Sequence, residues 1–135
     1  MMEENSNLSK IKELNILVVE DDTVSRIFLR ELLASTQAVV NYARSGYETF
    51  QHLEKNALPH VIILDLKLPD VDGVELARVL RGKYPGITII AQTAYVSVGM
   101  EERCRKAGVR AFIAKPVKKG ELVNLLSQLA EEHTK

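Results

Sequence analysis

Ile16-Leu-Val-Val-Glu-Asp-Asp22 joins four consecutive apolar residues to three acids. A run so short does not make a helix, and one that is apolar on both faces suits a central parallel strand. An acidic residue just after it is a good N-cap, and Val24, Ile27, Phe28, Leu32 and Leu33 then fall on one helical stripe. The stretch therefore reads as a buried strand feeding directly into a helix.

Outward from this stretch the same alternation repeats. Strands are expected at 38–42, 61–65, 87–91 and 111–114, and helices at 45–55, 72–81, 98–106 and 120–132. Gly82, Pro85-Gly86 and Gly108 punctuate helix ends as C-caps and turns. Strand alternating with helix five times calls for a parallel sheet, because right-handed crossover helices cover both faces of its strands. Residues 1–14 read as a charged linker or frayed extension, 15–132 as one domain and 133–135 as a tail.

The chain has 135 residues, 46% hydrophobic and 27% charged, enough for one core and too few for a second ordinary domain. Eighteen basic residues balance eighteen acidic ones, which argues against a nucleic-acid partner. The longest apolar runs are strand-sized, far short of the roughly 20 residues of a bilayer span, so no membrane partner is expected. The start shows no secretory pattern and Cys104 is the only cysteine, which together point to a reducing cytoplasm.

In an open parallel sheet, ligands bind outside the carboxyl ends of the strands. Those ends carry Glu20-Asp21, Asp65, Thr93 and Lys115-Pro116. At ~4 Å and an effective dielectric of ~20, two like charges repel by ~4 kcal/mol, so three gathered carboxylates imply a cation. With hard oxygens and no His or Cys at any strand end, that cation is Mg²⁺, or Mn²⁺, rather than Zn²⁺. Mg²⁺ in such a site usually also binds a phosphate oxygen, which makes a phosphoryl group the expected substrate. Lys115 offers an ammonium to a carboxylate at rest and to a phosphoryl oxygen later, and Thr93 offers a hydroxyl. Asp65, ending Val61-Ile-Ile-Leu on the expected central strand, becomes the nucleophile.

These residues resemble the response-regulator receiver domain of two-component signalling. The matching text is Ile16 to Asp22, Val61-Ile-Ile-Leu-Asp-Leu-Lys-Leu-Pro-Asp-Val-Asp-Gly73, Ile89-Ile-Ala-Gln-Thr-Ala94 and Phe112-Ile-Ala-Lys-Pro116. The resemblance implies a flavodoxin-like, doubly wound (βα)5 fold whose five-stranded sheet has the order 2-1-3-4-5. It implies that Asp65 is the phosphoacceptor, Glu20 and Asp21 the acidic pair, Thr93 and Phe112 the switch pair, and Lys115 the family's lysine. Mg²⁺ would be held by Asp21, Asp65, the backbone carbonyl of Lys67 and, through water, Glu20. Lys67 and Tyr95 would tune hydrolysis of the acyl phosphate. The phosphodonor would be a sensor histidine kinase or a histidine phosphotransfer domain, and the output surface the fourth helix, fifth strand and fifth helix, presented by a monomer or a phosphorylation-dependent dimer. The charged leader tilts the reading from a free-standing regulator toward a receiver segment of a hybrid kinase.

Glu20 where the family often has Asp, Lys67 where many relatives carry a small or neutral residue, and Phe112 in place of the frequent Tyr are departures from the common pattern. A haloacid-dehalogenase-type phosphatase would need an acid two residues after Asp65, where Lys67 stands. A flavin carrier would have to seat phosphate on Glu20-Asp-Asp22, which repels it. A degenerate receiver that only binds is the remaining alternative. Asp70 and Asp72 read as serving the turn before the third helix, Pro116 as fixing the lysine loop, and Cys104 as a bystander. His52, His60 and His133 read as solvated.

Overall fold

Strands buried on both faces need helices on both sides, and the computed structural model, which describes residues 10–133, has that arrangement. The strands are β1 (Asn15–Val19), β2 (Val39–Ala43), β3 (Val61–Asp65), β4 (Thr88–Thr93) and β5 (Ala111–Ala114). They alternate with α1 (Thr23–Ala34), α2 (Gly46–Lys55), α3 (Gly73–Lys83), α4 (Met100–Lys106) and α5 (Lys119–His133). All pairings are parallel and the order is β2-β1-β3-β4-β5, the flavodoxin-like topology. The direction of winding reverses between β1 and β3, so the ligand crevice of this fold class lies above those two strands.

Alternate residues of each strand divide between two cores. Leu17, Val19, Ile62, Leu64, Ile89 and Ala91 pack with Leu53 of α2, Leu76 and Leu80 of α3 and Cys104 of α4. Ile16, Val18, Val61, Ile63, Ile90 and Ile113 pack with Leu29, Leu32 and Leu33 of α1 and Leu122, Leu126 and Leu129 of α5. Cys104 is buried, and that burial pushes its thiol pKa up, which suits packing rather than reactivity. Among the described residues no helix is long and apolar enough to cross a membrane.

Several expectations need correction. Leu32 and Leu33 face the core, but the rest of the stripe read on α1 does not: Val24 is 75% exposed and Phe28 47%, with Ile27 similar, while Leu29 is buried instead. Residues 1–9 of the expected extension lie outside those described, but Ile11, which opens a short 3-10 turn (Ile11–Glu13), and Leu14, which follows it, are buried in the core with α5. The domain thus reaches back beyond residue 15. Gly82 lies inside α3 rather than capping it, whereas Gly108 does take a positive φ of 95° after α4. Asp72 caps α3 through the Val74 N–H, but Asp70 caps a different helix, accepting from the Gly46 and Tyr47 N–H groups of α2, both at 2.9 Å. These two bonds hold the Asp70 carboxyl below the usual range. His60 accepts the Asn15 N–H at 2.9 Å, and its ring lies 5.3 Å from that of His133, so neither is simply solvated. His133 ends α5 rather than beginning a tail, and residues 134 and 135 lie outside those described.

Candidate functional site

Val18, Ile63 and Ile90 are register neighbours in one apolar row facing α1 and α5. Two residues further along a strand the side chains return to the same face. At that level the row turns polar: Glu20 after β1, Asp65 ending β3 and Gln92 on β4, with Asp65 and Gln92 in register. The Glu20 N–H still bonds the Ala43 carbonyl at 2.9 Å and the Lys115 N–H the Thr93 carbonyl at 2.8 Å, so the ladders hold these positions rigidly. The Lys115–Pro116 peptide is cis.

Lys115 Nζ donates to Glu20 Oε1 at 2.7 Å and to Asp65 Oδ2 at 3.1 Å. Glu20 is fully buried and Asp65 only 6% exposed, so this ammonium is the counter-charge that lets two carboxylates share the spot. Their other oxygens accept backbone N–H groups, Asp22 to Glu20 Oε2 and Lys67 to Asp65 Oδ1, each at 3.1 Å. Burial pushes the Glu20 pKa up to about 7, the Asp65 carboxyl adds to the rise and Lys115 opposes it. Burial alone would lower the Lys115 pKa, but its bonds to Glu20 and Asp65 outweigh this and raise it.

Asp21 is exposed and, with Asp65, Lys67 and Tyr95, lines a cavity of about 330 Å³ above the pair. The side chains on that cavity best suited to hold a metal are all carboxylates. This is a hard-oxygen set of the kind Mg²⁺ prefers. Among the described residues no three His, Cys, Asp or Glu side chains stand close enough to hold an ion by themselves. Glu20 is turned toward Lys115, so a cation here depends on backbone oxygen and water as well, which is the usual state of protein-bound Mg²⁺.

Thr93 is buried, and its Oγ1 accepts the Tyr95 N–H at 3.1 Å without touching either carboxylate. Lys67 Nζ lies 4.7 Å over the ring of the exposed Tyr95 and 3.4 Å from its hydroxyl, so these two residues meet at the cavity mouth. Phe112 is half-buried against the core on the α4 side. The sequence reading passed over Gln92, 1% exposed, whose Nε2 donates to Glu20 Oε1 at 3.4 Å. Its one signal was a polar side chain two places beyond Ile90, just past the apolar run Ile89-Ile-Ala91.

The sequence profile described as "Response regulator receiver domain" matches residues 16–127. This chain belongs to the response regulator receiver domain family. The polar-differentiation response regulator DivK of Brucella ovis is 32% identical to it over 105 residues, covering 76% of this chain and 85% of DivK. A CheY-like receiver domain protein from Methanospirillum hungatei superposes with a TM-score of 0.82 at 28% identity, covering 90% of this chain and 96% of that one. The receiver domain of a Pseudomonas aeruginosa sensor histidine kinase gives 0.77 at 31% identity, covering 87% and 98%, and its structure has magnesium coordinated in the active-site cleft. Receiver domains are signalling proteins that interact with histidine kinases or phosphotransfer partners and bind Mg²⁺ in their active site.

Proposed function

We propose that this receiver domain takes a phosphoryl group from a phosphohistidine onto Asp65 and thereby switches the surface formed by α4, β5 and α5. The observation that carries the reading is the single Lys115 ammonium bonded to both Glu20 and Asp65 at the carboxyl edge of the sheet. In the transfer, an Asp65 carboxylate oxygen attacks phosphorus, the bond from phosphorus to the donor imidazole nitrogen breaks, and the electron pair leaves with the imidazole. Asp21, Asp65 and the Lys67 backbone carbonyl would hold Mg²⁺, with Glu20 reaching it through water. When bound, the ion neutralises charge on the phosphoryl oxygens. Lys115 supplies the second positive charge and follows the incoming oxygens.

Phosphorylation replaces one carboxylate charge by roughly −1.5 to −2. Thr93, whose hydroxyl now holds the Tyr95 N–H, turns toward the new oxygens, and Phe112 fills the space it leaves. Lys67 and Tyr95, in contact at the cavity mouth, govern access of the hydrolytic water. The phosphodonor is a sensor histidine kinase or a histidine phosphotransfer domain, and the setting is cytoplasmic.

Incubation of the full chain with Mg²⁺ and acetyl phosphate, followed by intact-mass measurement, tests this reading. The native chain should gain one phosphoryl group, lost on addition of chelator before the donor, and Asp65→Asn should gain none. An adduct of equal yield on Asp65→Asn overturns the assignment of the acceptor. No adduct on a folded native chain overturns phosphotransfer in favour of a receiver that only binds.

A further inference from the structure

Lys115 already divides its ammonium between two carboxylates, Glu20 and Asp65. In the unphosphorylated state it is the closest partner of Glu20 Oε1, at 2.7 Å, yet phosphotransfer draws it to the phosphoryl oxygens. Glu20 has no exposed surface although it borders the site cavity, and its other oxygen already accepts the Asp22 N–H. A carboxylate oxygen left without a donor in such a place is strongly disfavoured. Among the described residues, the side-chain donor to Glu20 Oε1 apart from Lys115 is the Gln92 amide, approaching from β4 at 3.4 Å.

The amide is an unusual choice for its position. Gln92 continues the row of Ile63 and Ile90, beside an apolar cleft bounded by Val24, Phe28 and Val117. Its own Oε1 is buried and makes no hydrogen bond among the described residues. An apolar side chain of the same length would avoid that desolvation cost, so packing does not explain the amide. Its bond to Glu20 does.

We infer that Gln92 is a positioning residue of the site: its side-chain amide holds the Glu20 carboxylate in place and becomes its principal side-chain donor when Lys115 is drawn to the phosphoryl group. The inference rests on the phosphoacceptor reading. Gln92 stands in register with Asp65 on β3, but among the described residues its side chain makes no hydrogen bond to that carboxylate, so its amide acts on the site through Glu20.

The test is a double-mutant cycle on the full chain with Gln92→Met and Glu20→Gln. Mg²⁺ affinity is read by calorimetry or amide shifts, beryllofluoride uptake is read by NMR, and thermal stability is followed separately. Gln92→Met alone should weaken Mg²⁺ binding and beryllofluoride uptake by about tenfold, the scale of a hydrogen bond to a charged group. In the Glu20→Gln background the same substitution should change Mg²⁺ affinity by less than about twofold. Equal weakening in both backgrounds, or a loss of thermal stability with Mg²⁺ affinity unchanged, overturns the inference and makes Gln92 a packing residue. If Gln92→Met does not fold, Gln92→Leu takes its place in the cycle. Native protein that binds neither Mg²⁺ nor beryllofluoride refutes the phosphoacceptor reading itself, an outcome distinct from a cycle without coupling.

Discussion

At the residue scale, one glycine decides how closely the loop after β3 can be drawn under α3. A Cβ on Gly73 would stand 2.4 Å from Leu66 Cα and 2.7 Å from Leu66 O, both backbone atoms that cannot move aside cheaply. The Gly73 N–H also bonds the Leu66 carbonyl at 3.0 Å, so the helix start and the strand end are in direct contact. The next residue is Lys67, whose N–H fixes Asp65 Oδ1. Gly73→Ala should cost about 1 to 3 kcal/mol, the range for an overpacked contact. It should also weaken Mg²⁺ binding, because relief of the clash displaces Leu66 and Lys67. Urea unfolding and Mg²⁺ titration on one sample check both parts; a stability loss with unchanged Mg²⁺ affinity would mean that the loop absorbs the methyl elsewhere. The sequence showed this glycine only as part of a family-like string, since nothing in a linear text measures how near two backbones approach. It showed Asp65 and Lys115 far better, because charged residues ending apolar strands share one rim once the sheet is parallel. Gln92 escaped notice for the opposite reason: a neutral amide inside a strand has no charge to explain.

At the scale of elements, α4 is tied to the site by one exposed contact. Arg103 Nη2 lies 3.3 Å from Asp72 Oδ2, while Asp72 Oδ1 caps α3 and its backbone forms an isolated bridge with Lys67. The chain of contacts therefore runs from Asp65 through Lys67 and Asp72 to a helix of seven residues. Both partners of the ion pair are more than half exposed, so its contribution to global stability is at most about 1 kcal/mol. Arg103→Ala should leave the unfolding midpoint nearly unchanged and speed hydrogen exchange of the α4 amides relative to those of α3 and α5. Exchange that rises equally in all three helices would show that the pair does not restrain α4 in particular. Elements of this kind were legible from apolar runs and turn residues, but their faces were less so. Val24 and Phe28 satisfy a helical period on α1 and yet stay exposed, bordering an open cleft beside Lys115 and Val117 instead of packing into the core. Periodicity reports which residues share a stripe and is silent on whether anything covers it. Asp70 shows the same limit: its cap on α2 joins residues 23 and 24 positions apart, which no local pattern contains.

For the whole molecule, the two ends of the sheet respond to pH in opposite directions. At the carboxyl end, burial raises the Glu20 pKa from 4.5 to about 7. A raised acid favours the folded state while protonated, so this contribution is complete below the unfolded value and is lost as pH climbs through about 7. At the amino end, burial, with His60 adding to it, lowers the His133 pKa from its ordinary 6.5. A depressed histidine contributes stability that is present above 6.5 and disappears as pH falls through the lowered folded value. Its ring also lies 3.3 Å from Thr88 Oγ1, and Ile11 and Leu14 pack nearby against α5, so this end closes the core. Without metal, the native chain should therefore lose thermal stability between about pH 5 and pH 8 on account of Glu20, partly masked by the rise from His133. Glu20→Gln removes the first effect and leaves the second, so its melting temperature should instead climb as pH is raised from about 5 toward 7. Melting curves of both proteins in chelator across that range decide the matter: parallel profiles would show that Glu20 does not carry the acid-side gain. Saturating Mg²⁺ should move the native profile toward that of the variant, since a cation favours the ionised carboxylate and cancels the advantage of its proton.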